Sequence, residues 1–177
     1  MAASFDIVIR NGLVHDGTGA PGCAADVGIN GDRIAFVGVS GSARGTVEID
    51  ATGLAVAPGF INMLSWANES LIVDGRSQSD IRQGVTLEVL GEGTSMGPWS
   101  EKMKREELAQ QADITFPIEW TTLGEYLDWL TRRGVSCNVA SFVGATTVRI
   151  HTLGYEYRPA TPAELENAKA RLLGKAG

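Results

Sequence analysis

Between Gly91 and Gly93 stands Glu92, a lone carboxylate after an apolar run, and an oxygen donor at a strand end is a ligand type that divalent ions accept. The same residue reads equally as a loop acid in a glycine-rich turn. The two histidines, His15 and His151, lack the paired spacing by which two imidazoles reach one ion. His15 precedes a turn beside Asp16. His151 follows Arg149 after an apolar segment, where it either contacts a substrate or sits as a solvated or hydrogen-bonded loop residue. The run Gly91-Glu92-Gly93-Thr94-Ser95-Met96-Gly97 has the glycines of a phosphate cradle, but neither the lysine of a P-loop nor the spacing of a dinucleotide fingerprint. Those glycines suit close backbone approach instead. Ser65 lacks the flanking glycines of a nucleophile elbow and a recognisable base partner, which speaks against serine-hydrolase chemistry. Asp74, Arg76 and Asp80 form a charged cluster able to reach a pocket rim, although charges near a helix start also serve as caps. Cys23 and Cys137 form no Cys-x-x-Cys pair, so neither a disulfide scaffold nor a zinc knuckle is indicated.

The elements that must position these groups fall into two textures. Residues 5–10 alternate apolar and polar, with Phe5, Ile7 and Ile9 on one face and Asp6, Val8 and Arg10 on the other, and Asn11-Gly12 supplies a turn. Short strand-like runs follow at 26–30, 33–38, 46–50 and 54–57, and Asn30-Gly31-Asp32 between the first two is a hairpin signal. From Pro58 the pattern changes to the strand and helix alternation of a parallel sheet. Residues 60–63 read as its first strand, 86–90 as a second that is buried on both faces apart from Glu88, and 135–143 as a third. Ser77-Gln78-Ser79-Asp80 caps a helix that stops near Gly84, and 101–112 is a charged, solvated helix. Thr122 and Glu125, then Thr161 and Glu164, have the spacing of capping boxes. The helix after the first box buries Leu123, Tyr126, Leu127 and Leu130, and the helix after the second turns Leu165, Ala168 and Leu172 inward.

A formal net charge of -6 argues against nonspecific nucleic-acid binding and against an anionic membrane surface. A hydrophobic content of 44% with 22 glycines suits a globular α/β chain rather than a disordered one. The N-terminus has no basic stretch leading into an apolar core, and no run approaches the roughly eighteen apolar residues of a membrane span. A cytoplasmic location is the resulting expectation.

Several blocks resemble one family in order and spacing. Asp6-Ile7-Val8-Ile9-Arg10-Asn11-Gly12, Asp16-Gly17-Thr18-Gly19-Ala20-Pro21, Gly84-Val85-Thr86-Leu87-Glu88-Val89 and Tyr157-Arg158-Pro159-Ala160-Thr161-Pro162 are similar to the N-terminal signature of the N-acyl-D-amino-acid deacylases. Ala55-Val56-Ala57-Pro58-Gly59-Phe60-Ile61 resembles the entry into the first barrel strand across the wider amidohydrolase superfamily. The resemblance implies an α/β fold: residues 1–57 as the N-terminal part of a small β-sandwich domain, and residues 58–177 as the first segments of a metal-dependent-hydrolase (β/α)8 barrel. Both are incomplete in 177 residues, because such a barrel alone takes about 250.

What the resemblance implies about chemistry is hydrolysis of a linear N-acyl amide, with a divalent metal, zinc by expectation, in the full-length enzyme. Here the chain departs from the pattern. The two metal-binding histidines that close the first strand are replaced by Leu64 and Trp66, and the cysteine that closes the second is replaced by Gly93. Glu92 is the candidate substitute metal ligand, and His151 a candidate for substrate contact, although the family's histidine often stands where this chain has Ala145. The expectation is therefore a chain inactive by itself, partnered by a small N-acyl amide and by a complementary C-terminal segment. Two alternatives stay open: a metal-free binding or assembly module descended from the same fold, and a cyclic amidohydrolase that opens hydantoins or dihydropyrimidines.

Overall fold

The computed structural model describes residues 3–172, so the final residues 173–177, which the sequence places directly after its last helix, lie outside the described residues. Two compact units meet in sequence at Pro58 and Gly59.

The first unit is a mixed five-stranded sheet. Strands β1 (Ser4–Val14), β2 (Cys23–Asn30), β3 (Arg33–Gly38) and β4 (Arg44–Asp50) lie in the order β3-β2-β1-β4, and the short β5 (Ala55–Val56) pairs with the end of β1. The β2–β3 hairpin turns through Gly31 at φ +57°, a conformation that glycine adopts without steric cost. Asn11-Gly12 does not reverse the chain as the sequence predicts. Asn11 takes φ +60° and the β1–β2 register shifts between Ile9 and Gly12, so the pair makes a bulge inside one long strand. A side chain at Gly12 would run into Val56, which is why the bulge accepts β5 alongside it. The expected alternation also fails at Val8, which is fully buried in a cluster with Phe5 and Ala43, against which Phe36 packs.

The second unit is built on a parallel sheet of β6 (Phe60–Asn62), β7 (Val85–Leu90) and β8 (Asn138–Ser141) in that order. Helices α1 (Ser70–Val73) and α2 (Gln78–Ile81) connect the first two strands. Helices α3 (Glu101–Gln110) and α4 (Leu123–Arg133) precede β8, and α5 (Ala145–Leu153) and α6 (Pro162–Leu172) follow it. The Thr122 and Glu125 box forms in full: Glu125 N–H donates to Thr122 Oγ1 at 3.2 Å, and Glu125 Oε2 accepts from Thr122 N–H at 2.9 Å. Behind it α4 buries Tyr126, Trp129 and Leu130 against Leu71, Ile72, Leu90, Trp99, Phe116 and Trp120. Trp120 satisfies its one polar atom by donating from Nε1 to the Met96 carbonyl at 2.7 Å.

Three sequence expectations are corrected here. The third strand is shorter than 135–143, since residues 142 and 143 leave the sheet and a further helix, α5, begins at Ala145. Ser77 precedes α2, but its side chain makes no cap; it sits at φ +44° with its hydroxyl directed elsewhere. Helix α6 keeps its box, with Thr161 N–H donating to Glu164 at 2.8 Å, yet Leu165 and Leu172 are exposed, because among the described residues α6 packs chiefly on α5, which leaves much of its apolar stripe uncovered. Among the described residues no helix is long and apolar enough to cross a membrane.

Candidate functional site

In a parallel sheet the C-terminal strand ends gather the loops that follow each strand, and ligands of α/β folds bind there. Three such loops meet in the second unit. After β6 come Met63, Leu64, Ser65 and Trp66; Leu64 is 52% exposed and Trp66 71%, while Ser65 between them is buried. Leu64, Ser65 and Trp66 wall a cavity of about 540 Å3 together with Asn62, Asp74, Ser77 and Asp80. Arg76 donates two hydrogen bonds to Asp74 and holds its carboxyl down at about 2. Asp80 accepts from Asn62 Nδ2 at 3.2 Å. The charged cluster is thus partly at a cavity rim and largely satisfied within itself.

After β7 the backbone turns through Gly91 at φ +84° and Gly93 at φ +78°. A side chain at Gly91 would strike the Phe142 carbonyl, whereas at Gly93 it would point into open space. The exposed Glu92 lies between them. The loop is then fastened to the segment after β8 through Ser95. Its N–H donates to Thr147 Oγ1 at 2.8 Å, its Oγ accepts from Gly144 N–H at 2.9 Å, and Thr146 N–H donates to the Gly93 carbonyl at 3.0 Å. So Gly91 serves close backbone packing, and Gly93 serves the positive φ of the turn. A second cavity, of about 210 Å3, lies beside this loop between α3 and α5, where burial and the neighbouring Glu69 raise the Glu107 carboxyl.

His151 is not a loop residue. It lies in the last turn of α5, half-buried, and burial followed by the Arg171 charge lowers its pKa. Neither Glu92 nor His151 lines either cavity, and no group of three His, Cys, Asp or Glu side chains among the described residues is placed to hold a metal ion. With no metal-binding lone pair on Leu64 or on the Trp66 indole, these residues do not make a metal centre by themselves. His15 stands just after β1, its ring packed so close to Gly22 that a side chain there would collide with it.

The polar centre of the unit is a residue that sequence reasoning left on a solvent face. Glu88, in the middle of β7, is 0% exposed. Ser65 Oγ donates to its Oε2 at 2.6 Å, and Ser77 Oγ and Cys137 Sγ donate to its Oε1 at 2.5 and 3.0 Å. Burial, and then the hydrogen bond and charge of Glu88, push the Cys137 thiol up to about 11; burial first and Glu88 second also raise the Tyr126 phenol. Ser65 does therefore have a carboxylate partner, contrary to the sequence reading. It is not exposed for nucleophilic attack, and its Oγ also accepts from Ala67 N–H at 3.2 Å. The signal that could have found the network is an acid inside the run Val85–Leu90; nothing marked Ser77 or Cys137 as its partners.

No family model matches the chain. It is 33% identical over 174 residues to N-acyl-D-aspartate deacylase of Alcaligenes xylosoxydans xylosoxydans, a match covering 96% of this chain and 34% of that protein. It is also 33% identical over 162 residues to D-aminoacylase of the same organism, covering 91% and 33%. A crystal structure of D-aminoacylase, described as defining a novel subset of amidohydrolases, superposes with a TM-score of 0.80 at 34% identity over 97% of this chain and 36% of that one. N-acyl-D-glutamate deacylase from Bordetella bronchiseptica, solved with zinc and a phosphonate inhibitor that mimics the tetrahedral intermediate, superposes with a TM-score of 0.79 at 28% identity over 98% and 36%. The chain spans about a third of the length of each of these relatives.

Proposed function

Because the chain is a homologue of the N-acyl-D-amino-acid deacylases of the amidohydrolase superfamily over about a third of their length, we propose that it forms part of a cytoplasmic hydrolase of linear N-acyl-D-amino acids. The observation that carries this reading is the superposition over 97% of the chain at 34% identity with D-aminoacylase. On this reading β6, β7 and β8 are the first strands of the (β/α)8 barrel, and the five-stranded sheet belongs to the accompanying β sandwich. A complementary segment, the remaining partner besides the N-acyl amide, covers what is exposed here: Phe60 and Ile61 on the edge strand β6, and the apolar stripe of α6.

The chain's own contribution to the site is the rim of the parallel sheet. Leu64 and Trp66 give it an apolar wall suited to the acyl chain or the amino-acid side chain. Glu92 is the oxygen ligand it offers in place of the family's cysteine, and His151 the group it brings toward substrate. A divalent metal bound in the whole enzyme would polarise the amide carbonyl and activate water. The described residues do not by themselves form its coordination set. A second reading, a metal-free binding module, is favoured by one observation, the side chains without a metal-binding lone pair at both positions 64 and 66. The linear over the cyclic amide is supported by the names of the relatives matched at 33% identity.

Metal analysis and turnover of N-acyl-D-aspartate, N-acyl-D-glutamate and N-acetyl-D-leucine test the reading on this chain and on the chain joined to the remaining two thirds of a relative. The joined protein is expected to hold metal and release the amino acid, and Glu92→Ala to lower both; the 177-residue chain is expected to do neither. A joined protein that folds, holds no metal and releases nothing supports the binding module instead.

A further inference from the structure

Glu88 occupies a place where an ion is costly. It lies on the central strand of the parallel sheet, without exposure, and among the described residues no Lys or Arg bonds it. The three donors that satisfy it come from three separate parts of the unit: Ser65 from the loop after β6, Ser77 from the turn before α2, and Cys137 from the residue that leads into β8. Ser65 is fixed a second time, since its N–H donates to the Val89 carbonyl at 3.0 Å. It stands directly between Leu64 and Trp66, and both it and Ser77 line the cavity of about 540 Å3 that those two side chains wall.

From this arrangement we propose that Glu88 is a positioning residue for the cavity rim: its carboxylate fixes the segment 63–67, and through Ser65 it sets where Leu64 and Trp66 present their apolar surface. What the rim accepts rests on the amidohydrolase reading; that Glu88 fixes it does not. Physically, two oxygens shared among three donors make a junction with a fixed geometry, because charge-assisted bonds are short and directional. The strained φ of +44° at Ser77 is retained where its hydroxyl meets this junction instead of capping α2. An apolar side chain at position 88 would fill the same space without ordering the loop.

Amide hydrogen exchange on the 177-residue chain, resolved by peptide, tests this without turnover, so a failed deacylase assay leaves the test intact. Glu88→Gln is expected to speed exchange in residues 62–68 at least tenfold while residues 123–133 of α4 keep their protection, and Glu88→Asp is expected to restore most of it. Ser77→Ala, which leaves Ser65 in place, should speed exchange in 62–68 about threefold, and it carries the test if Glu88→Gln does not fold. Unchanged exchange in 62–68, or loss of protection spread equally through α4, would show that Glu88 only adds stability and would overturn the proposal.

Discussion

Replacing Glu88 by leucine asks whether this buried carboxylate stabilises the second unit or burdens it. The substitution strands the Ser65 and Ser77 hydroxyls and the Cys137 thiol, which all donate to it. Two stranded hydroxyls cost about 2–6 kcal/mol, at roughly 1–3 for each buried group left unpaired, and the weaker thiol adds little. Against this, leucine no longer holds an ion away from water, an offset of about 1–4 kcal/mol when buried ions are replaced by well-packed apolar side chains. The net expectation is a loss of about 2 kcal/mol, a sizeable part of the 5–15 kcal/mol typical of a domain. Ser65→Ala/Ser77→Ala/Glu88→Leu removes both hydroxyl donors, so it keeps the offset, leaves only the half-buried Ala67 N–H without its Ser65 acceptor, and should be more stable than the single variant. Urea denaturation measures all three, followed by the emission of the core tryptophans Trp99, Trp120 and Trp129 and by circular dichroism. A single variant as stable as the parent, or a triple variant less stable than the single one, would refute the reasoning.

Two further expectations concern titration. In a Cys23→Ser background, iodoacetamide should modify Cys137 slowly at neutral pH because its thiol titrates at about 11, and Glu88→Gln should lower that midpoint by removing the adjacent carboxylate; the rate against pH, read by mass, checks both. His151 has a lowered pKa in the folded chain, so the unfolded chain takes up its proton first as pH falls. Its contribution to stability is therefore complete above about 6.5 and is lost as pH falls through that value toward the lower folded one, and His151→Gln should flatten the melting temperature between pH 7.5 and 5.5.

Patterns governed by neighbours in sequence were legible. The capping boxes at Thr122 and Thr161, the β2–β3 hairpin at Gly31 and the buried face of α4 each depend on residues a few positions apart. What sequence could not show depends on pairing at a distance. Asn11-Gly12 reads locally as a turn, yet with partners on both sides of β1 it becomes a bulge. Glu88 reads as a solvent-facing acid because its three donors lie 11, 23 and 49 positions away. At the sheet rim, the place of Glu92 just beyond β7 and between glycines is legible in the sequence, whereas the helix that carries His151 is not, because α5 has no side-chain cap at Gly144 and little amphipathic pattern to announce it.

The placement of β1 has a kinetic consequence. Ile7 pairs antiparallel with Ile29 and parallel with Val47, so the two halves of the first sheet share one strand but close loops of different length. The shorter loop costs less chain entropy, so the antiparallel ribbon of β1, β2 and β3 can assemble before β4 joins it. The parallel pairing then docks β4 onto an edge that already exists and whose register the Asn11 bulge has set. Deleting the first fourteen residues would accordingly not trim this sheet by one strand; it would remove the template on which both sides of it are ordered.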